Sequence, residues 1–131
     1  MGAIEKTLLE IEKRCAEAFN AGDVDEVLKY FDEDVIGFSS TQHERLMGLD
    51  DMRETFLYYL READRVEYSI TSPLIKVIGE ESAVVTYYWL VVLVTGNRRR
   101  EIHGRGTHVF AKRGNDWKIV HEHFSRAHHG G

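Results

Sequence analysis

The stretch Ala83-Val84-Val85-Thr86-Tyr87-Tyr88-Trp89-Leu90-Val91-Val92-Leu93-Val94-Thr95 decides how the rest of the chain is read. β-Branched and aromatic residues fill it, a composition that suits a pleated, packed strand. From Ala83 to Val94 only Thr86 breaks the apolar run, which falls far short of the roughly 18 residues a membrane-crossing helix needs. Successive side chains of a strand point to opposite faces. Here Ala83, Val85, Tyr87, Trp89, Val91 and Leu93 share one side, and Val84, Tyr88, Leu90, Val92 and Val94 share the other. An antiparallel sheet with one wet face alternates apolar and polar residues. This strand does not, so it calls for cover on both faces. Helices supply one cover; a second copy of the chain, meeting Tyr88, Leu90 and Val92, is the economical other.

Downstream, Gly96-Asn97 turns the chain into a strand from Glu101 to Lys112, and Arg113-Gly114-Asn115-Asp116 turns it again into Trp117 to Ser125. Upstream of the turn Gly79-Glu80-Glu81-Ser82, Leu74 to Ile78 reads as strand, and Val66, Tyr68 and Ile70 alternate with polar residues. Pro73 between them marks a bend or an edge position. Before Asp64 the period becomes helical. Ile4, Leu8, Ile11, Cys15, Ala18 and Phe19 predict a first helix of about 16–18 residues, stopped by Gly22. Asp23, with Glu26 three residues on, opens a second helix that shows Val24, Val27, Leu28 and Phe31 on one face and ends in Asp32-Glu33-Asp34. Val35-Ile36-Gly37-Phe38 reads as a short strand, and Ser39 to Arg45 as a polar loop. Gly48-Leu49-Asp50 opens a third helix with Met52, Phe56, Tyr59, Leu60 and Ala63 along one stripe. Helices first and antiparallel strands after make an α+β fold, with three N-terminal helices packed in a mostly antiparallel sheet.

The 131 residues suffice for a single domain, 1–131, with residues 127–131 a frayed tail whose His128-His129 needs no function. The composition, 43% hydrophobic and 30% charged with one proline, excludes disorder and low complexity. The one cysteine, Cys15, excludes an intrachain disulfide and a cysteine-based zinc site. Met1-Gly2-Ala3-Ile4-Glu5-Lys6 lacks the apolar core of a signal peptide, so a cytoplasmic protein with no membrane partner is expected. The net charge of −5 divides unevenly: residues 1–64 hold 16 acidic against 7 basic side chains, and residues 65–131 hold 6 against 10. No strong basic face results, which argues against nucleic acid as a partner, and Arg98-Arg99-Arg100 reads as a solvated hairpin end.

Three stretches together resemble the NTF2-like superfamily: Asn20-Ala21-Gly22-Asp23, Gly48-Leu49-Asp50, and Gly114-Asn115-Asp116-Trp117-Lys118-Ile119-Val120-His121-Glu122-His123-Phe124-Ser125. The likeness is to SnoaL-like proteins and to the association (hub) domain of calcium/calmodulin-dependent protein kinase II, and runs from about Ile4 to Arg126. It implies a strongly curved sheet wrapped around the helices as a cone with a pocket, dimeric through the outer sheet face. Ketosteroid isomerases of this superfamily use a first-helix tyrosine and two acids. The matching positions are Cys15, Ser39 and Thr107 (or His108), none of them aspartate, so that mechanism is not expected. The hub's pocket arginines match Trp89, His108 and Phe124, and its histidine matches Met52, so a preference for anions is not expected either.

His108 and Glu122 are the candidate acid–base pair. A two- or four-residue loop at 113–116 pairs His108 with His121; a three- or five-residue loop puts Glu122 on its face, the arrangement the resemblance favours. Asp34 is a third candidate, near the cone's mouth, although its acidic run reads equally as a solvated helix end. His121 and His123, on one strand face, would supply two metal ligands with His108 as the nearest third; without a carboxylate partner the pair reads more simply as a polar patch, and no metal is assigned. Tyr30, Phe38, Met52, Phe56, Tyr87, Trp89, Phe110 and Phe124 are the candidate pocket lining. Arg105, flanked by Gly104 and Gly106, sits where a bulge or close backbone approach is allowed and bridges subunits more readily than it binds substrate. Cys15, on the apolar stripe, is read as inert. No Gly-rich phosphate loop is present, so no cofactor is expected.

Three functions compete. The first is a self-associating NTF2-like protein with an apolar-aromatic pocket for an unidentified small molecule. The second is an assembly module similar to the kinase hub. The third is an isomerase, dehydratase or cyclase using His108 with Glu122 or Asp34.

Overall fold

The computed structural model describes residues 2–127, so the tail beyond Ala127 lies outside the described residues. The elements run α1 (Ala3–Asn20), α2 (Val24–Leu28), β1 (Phe31–Phe38), β2 (Leu46–Met47), α3 (Gly48–Arg61), β3 (Arg65–Ile78), β4 (Ser82–Thr95), β5 (Arg98–Arg113) and β6 (Asp116–Arg126). The six strands form one curled, open sheet in the order β2-β1-β6-β5-β4-β3. All pairings are antiparallel except β1 with β6. α1 packs toward β3 and α3 toward β1, so the helices span one face of the sheet. Leu8, Val35, Met52, Val85, Phe110 and Ile119 are fully buried between the layers. No helix among the described residues is long and apolar enough to cross a membrane.

Local chemistry sets the joints. Asp23 accepts the Glu26 backbone N–H at 3.1 Å and caps α2. Asn20, the last residue of α1, exchanges two hydrogen bonds with the Tyr68 backbone, at 2.7 and 2.9 Å, and ties the helix end to the edge strand β3. Pro73 lies in that edge strand, where the register shifts between Thr71 and Leu74 and Ser72 takes a left-handed φ of 53°. The second helix is shorter than its pattern predicts. Phe31 and Asp32-Glu33-Asp34 belong to β1, because parallel pairing with β6 captures them: Ile119 N–H donates to the Tyr30 carbonyl at 2.8 Å, and Phe31 stands opposite Ile119.

The β5–β6 hairpin reaches its register by an unexpected route. Its loop is the two-residue Gly114-Asn115, with Arg113 opposite Asp116, a length that by itself aligns His108 with His121. Phe110 is opposite Ile119, but Val109 is opposite His121, leaving Val120 as an extra residue in β6. Past this bulge the inward side of β6 changes parity, from Trp117 and Ile119 to Glu122 and Phe124. His108 therefore faces Glu122.

Gly104 and Gly106 carry no bulge, since β4 and β5 pair without a break from Ser82↔Ala111 to Thr95↔Arg98. They make room for rings instead. A Cβ at Gly104 would collide with the Trp89 indole and the Ser125 carbonyl oxygen, and one at Gly106 would meet Tyr87 and Phe124 within 3 Å.

All the odd-numbered residues of β4 from Ala83 to Leu93 are buried under the helices. On the opposite side Tyr88 is 59% exposed and Leu90 is half-buried, but Val92 is only 5% exposed in the lone chain. Val92 sits between Glu67 and Glu101 in the ladder and already has cover, which takes it out of the expected subunit contact.

Candidate functional site

Glu12 rises from α1, His108 from the middle of β5 and Glu122 from β6, and the three side chains meet inside the fold. Their exposures are 3%, 3% and 4%. His108 Nδ1–H donates to Glu12 Oε2 at 2.7 Å, with Oε1 at 3.0 Å, and Nε2–H donates to Glu122 Oε1 at 2.7 Å. A carboxylate only accepts, so an imidazole donating through both nitrogens is the doubly protonated, positive ring. Burial alone would lower its pKa. The charges and hydrogen bonds of Glu12 and Glu122 outweigh that and carry it from 6.5 up to about 10.

The Tyr87 hydroxyl lies 3.3 Å from Nε2 and accepts from the Tyr68 hydroxyl at 3.4 Å, extending the polar line toward β3. Burial pushes both phenols well above the ordinary value. Phe31 and Phe110 meet the imidazole edge-on, and Phe124 stacks on it with centroids 6.1 Å apart. Phe124 also stacks against Trp89 at 5.5 Å.

The triad lines a cavity with about 50 Å³ open to the centres of water-sized molecules. Phe19, Phe31, Phe56, Tyr68, Trp89 and Phe124 form its aromatic wall, with Cys15 and Val91 beside them and Ser39, Thr55 and Tyr59 as its polar margin. Thr55 Oγ1 donates to Ser39 Oγ at 3.0 Å. Burial, then the charges of Glu12 and Glu122, push the Cys15 thiol well up, so it stays protonated. One polar atom of the wall is unanswered: the buried Trp89 Nε1–H has no acceptor among the described residues.

Of the candidate catalytic and pocket-lining residues, His108, Glu122, Phe56, Trp89 and Phe124 line this cavity, and Asp34, Tyr30, Phe38, Met52, Tyr87 and Phe110 do not. Asp34 is exposed on β1, beside Arg113 and Lys118. Its strand pairs with β6, and parity sends Asp34 outward while Val35 goes in. Met52 and Phe110 are fully buried in the core, and Tyr87 sits behind His108. Tyr30 is half-buried and interacts with Arg14; Phe38 points to the outer side, against His123 and beneath Arg45. His121 and His123 lie on that outer side, rings 6.3 Å apart. Among the described residues no group of three His, Cys, Asp or Glu is placed to hold a metal ion. His108 in particular has no lone pair to offer. Of the isomerase-matching positions, Cys15 and Ser39 line the cavity, and the inward member of the third pair is His108; Thr107 faces out opposite His123.

Sequence reading missed Glu12. Its signal was available: a carboxylate four residues after Leu8 and three before Cys15, on the stripe that α1 buries. The alternation of Tyr68 with polar neighbours gives it a side of the strand but does not say that its ring borders empty space.

The family model of a SnoaL-like domain matches residues 9–128. The chain is 28% identical over 126 residues to the calcium/calmodulin-dependent protein kinase type II alpha chain of Drosophila melanogaster, a match covering 94% of this chain and 24% of the kinase. The chain thus spans about a quarter of that relative. Among solved structures it is similar to the S. rosetta calcium/calmodulin-dependent protein kinase II hub, with a TM-score of 0.80, 25% identity and coverage of 93% of this chain and 95% of that one. It is also similar to an NTF2-like protein from Pseudomonas putida KT2440, with a TM-score of 0.82, 16% identity and coverage of 94% and 86%.

Proposed function

The chain belongs to the SnoaL-like family, and from that premise we propose that it binds one small, largely apolar molecule in its inner cavity and associates with itself through the outer sheet face. The fold alone does not carry this, because one scaffold hosts many functions. The observation that carries it is the joining, in one cavity, of an aromatic wall to a buried carboxylate–imidazolium–carboxylate triad. A hydrophobic core gains nothing from such a triad, since apolar side chains of equal volume are often at least as stable. Convergent polar groups in an apolar pocket are the common form of a ligand site.

In that site Glu122 is the group that meets the ligand, and His108 is a positioning residue. Both imidazole nitrogens are taken, and an imidazolium with a pKa of about 10 is a poor base near neutrality. If the bound molecule is turned over by isomerisation, dehydration or cyclisation, the proton passes to the Glu122 carboxylate. Asp34 is too exposed to share that work.

Self-association is the second reading, favoured by the exposed Tyr88 beside Leu90 and by the likeness to a kinase hub. Native mass spectrometry of the purified protein tests both readings. A co-purifying mass that leaves on unfolding, on a dimer or larger species, is the expected result. A bare monomer whose melting temperature no apolar probe raises would overturn both.

A further inference from the structure

Past the aromatic wall the inner face of the sheet turns basic. Strand residues two apart share a side, so Glu122, Phe124 and Arg126 form one line along β6, with Arg126 roughly 13 Å from Glu122. On β5 the line that holds His108 and Gly104 ends in Ile102 and Arg100, and Arg100 stands opposite the buried Leu93. Arg100 and Arg126 border one cleft, with about 270 Å³ open to water centres, together with Ser40, Tyr58, Tyr59 and Glu62. Tyr59 lines this cleft and the inner cavity alike, its hydroxyl 2.5 Å from Ser40 Oγ. The Tyr59 phenol, raised in pKa by burial, feels Arg126 from the cleft and Glu122 from the cavity.

The cleft arginines are not balanced within the fold. Arg99, on the outer side of β5, pairs with Glu101 at 3.2 Å. Arg100 and Arg126 are in no ion pair among the described residues. Glu62 is engaged by Tyr58: that hydrogen bond raises the Tyr58 phenol's pKa, and Arg100 and Arg126 are both near enough to pull it back. The two guanidiniums therefore act on one spot. Arginine stays charged at any pH near neutrality, so two arginines against one glutamate leave one positive charge in excess, which suits a monoanion. Neither arginine stands at Trp89, His108 or Phe124, the positions that match the hub's pocket arginines.

We propose that the molecule bound in the inner cavity is an organic acid, with its apolar body directed past Tyr59 to the aromatic wall and its carboxylate held in the outer cleft by Arg100 and Arg126. The planar guanidinium fork matches the two carboxylate oxygens. This rests on the cavity being a ligand site, and adds the ligand's charge and the end by which it is held.

The test is isothermal titration calorimetry of the full chain at neutral pH and low salt with 3-phenylpropionate, 3-phenylpropanol and 3-phenylpropylamine, one skeleton with three head groups, and with acetate, the head group without the body. The acid should bind about tenfold or more tighter than the alcohol, and the amine weakest. Acetate should bind far more weakly than 3-phenylpropionate. In Arg126→Gln and in Arg100→Gln the acid should fall towards the alcohol, whose own affinity stays as it was. Both arginines are exposed, so these variants should fold. Arg99→Gln removes the same charge from the outer side and should leave the acid's advantage intact. Equal binding of acid and alcohol, or tighter binding of the amine, would overturn the inference and leave the cavity a ligand site. So would an equal loss in Arg99→Gln, which would mean a response to overall charge. Acetate binding as tightly as 3-phenylpropionate would mean an adventitious ion only, and would overturn it too. No binding of acid, alcohol or amine would overturn both.

Discussion

Glu12 and His108 stand 96 positions apart in the chain, and their side chains meet at 2.7 Å. The bond fixes the middle of α1 over the centre of β5, and Glu122 completes it from β6 at the same distance. Three elements share one positive charge.

Removing that charge from the middle should be expensive. His108→Leu leaves two carboxylates buried without a partner, and a loss of about 3–5 kcal/mol in unfolding free energy is expected. Urea denaturation measures it. A cost below about 1 kcal/mol would mean that the carboxylates hold a proton and the ring is neutral.

The same triad sets a pH dependence. Below pH 6.5 the imidazole is protonated whether the chain is folded or not, so its stabilising contribution is fully present. Between 6.5 and about 10 only the folded chain keeps the proton, so stability falls as pH rises, and above about 10 the contribution is lost. The slope should approach 1.4 kcal/mol per pH unit, read between about pH 7 and 8.5, before the Cys15 and tyrosine ionisations of the unfolded chain add to it. Urea midpoints across that range check the sign. A flat profile would remove the imidazolium.

Gly104→Ala tests the packing of the aromatic wall. The new methyl would collide with the Trp89 indole and with backbone at Ser125. A loss of about 1–3 kcal/mol is expected, together with a change in tryptophan fluorescence as the ring is displaced. A neutral substitution would show that the indole does not rest on β5.

The outer face makes a separate prediction. Tyr88 is its most exposed large residue on β4, and Tyr88→Glu should weaken self-association by several kcal/mol by stranding a charge in the contact. Sedimentation equilibrium reads this as a lower mass at equal concentration. Val92→Thr is the control: Val92 is already covered within the chain and should alter folding stability rather than mass.

Much of this architecture is legible in sequence because burial has a period. The alternation along β4 states which side the helices cover, and the stripe on α1 states where that helix docks. What periodicity cannot encode is where packing leaves a space. Met52 and Phe110 are as apolar as Phe56 and Phe124, yet the first two fill the core and the last two border the cavity. Nor does the bulge announce itself. Val120 is a β-branched residue in an ordinary strand pattern, with no glycine beside it, and only the pairing partners of β6 reveal that one residue is supernumerary. Phe31 shows the converse, a helical spacing overruled by hydrogen bonds from a strand at the far end of the chain.

The carboxylate on the apolar stripe of α1 also couples the docking of that helix to β5. Glu12 lies among Leu8, Ile11 and Cys15, and its cation stands 96 positions later in the chain. Docking that stripe on a half-made sheet would bury a naked charge, so premature collapse is penalised. The penalty lifts once β5 has been made and laid beside β4. The seating of α1 is thereby tied to a sheet that already contains β5.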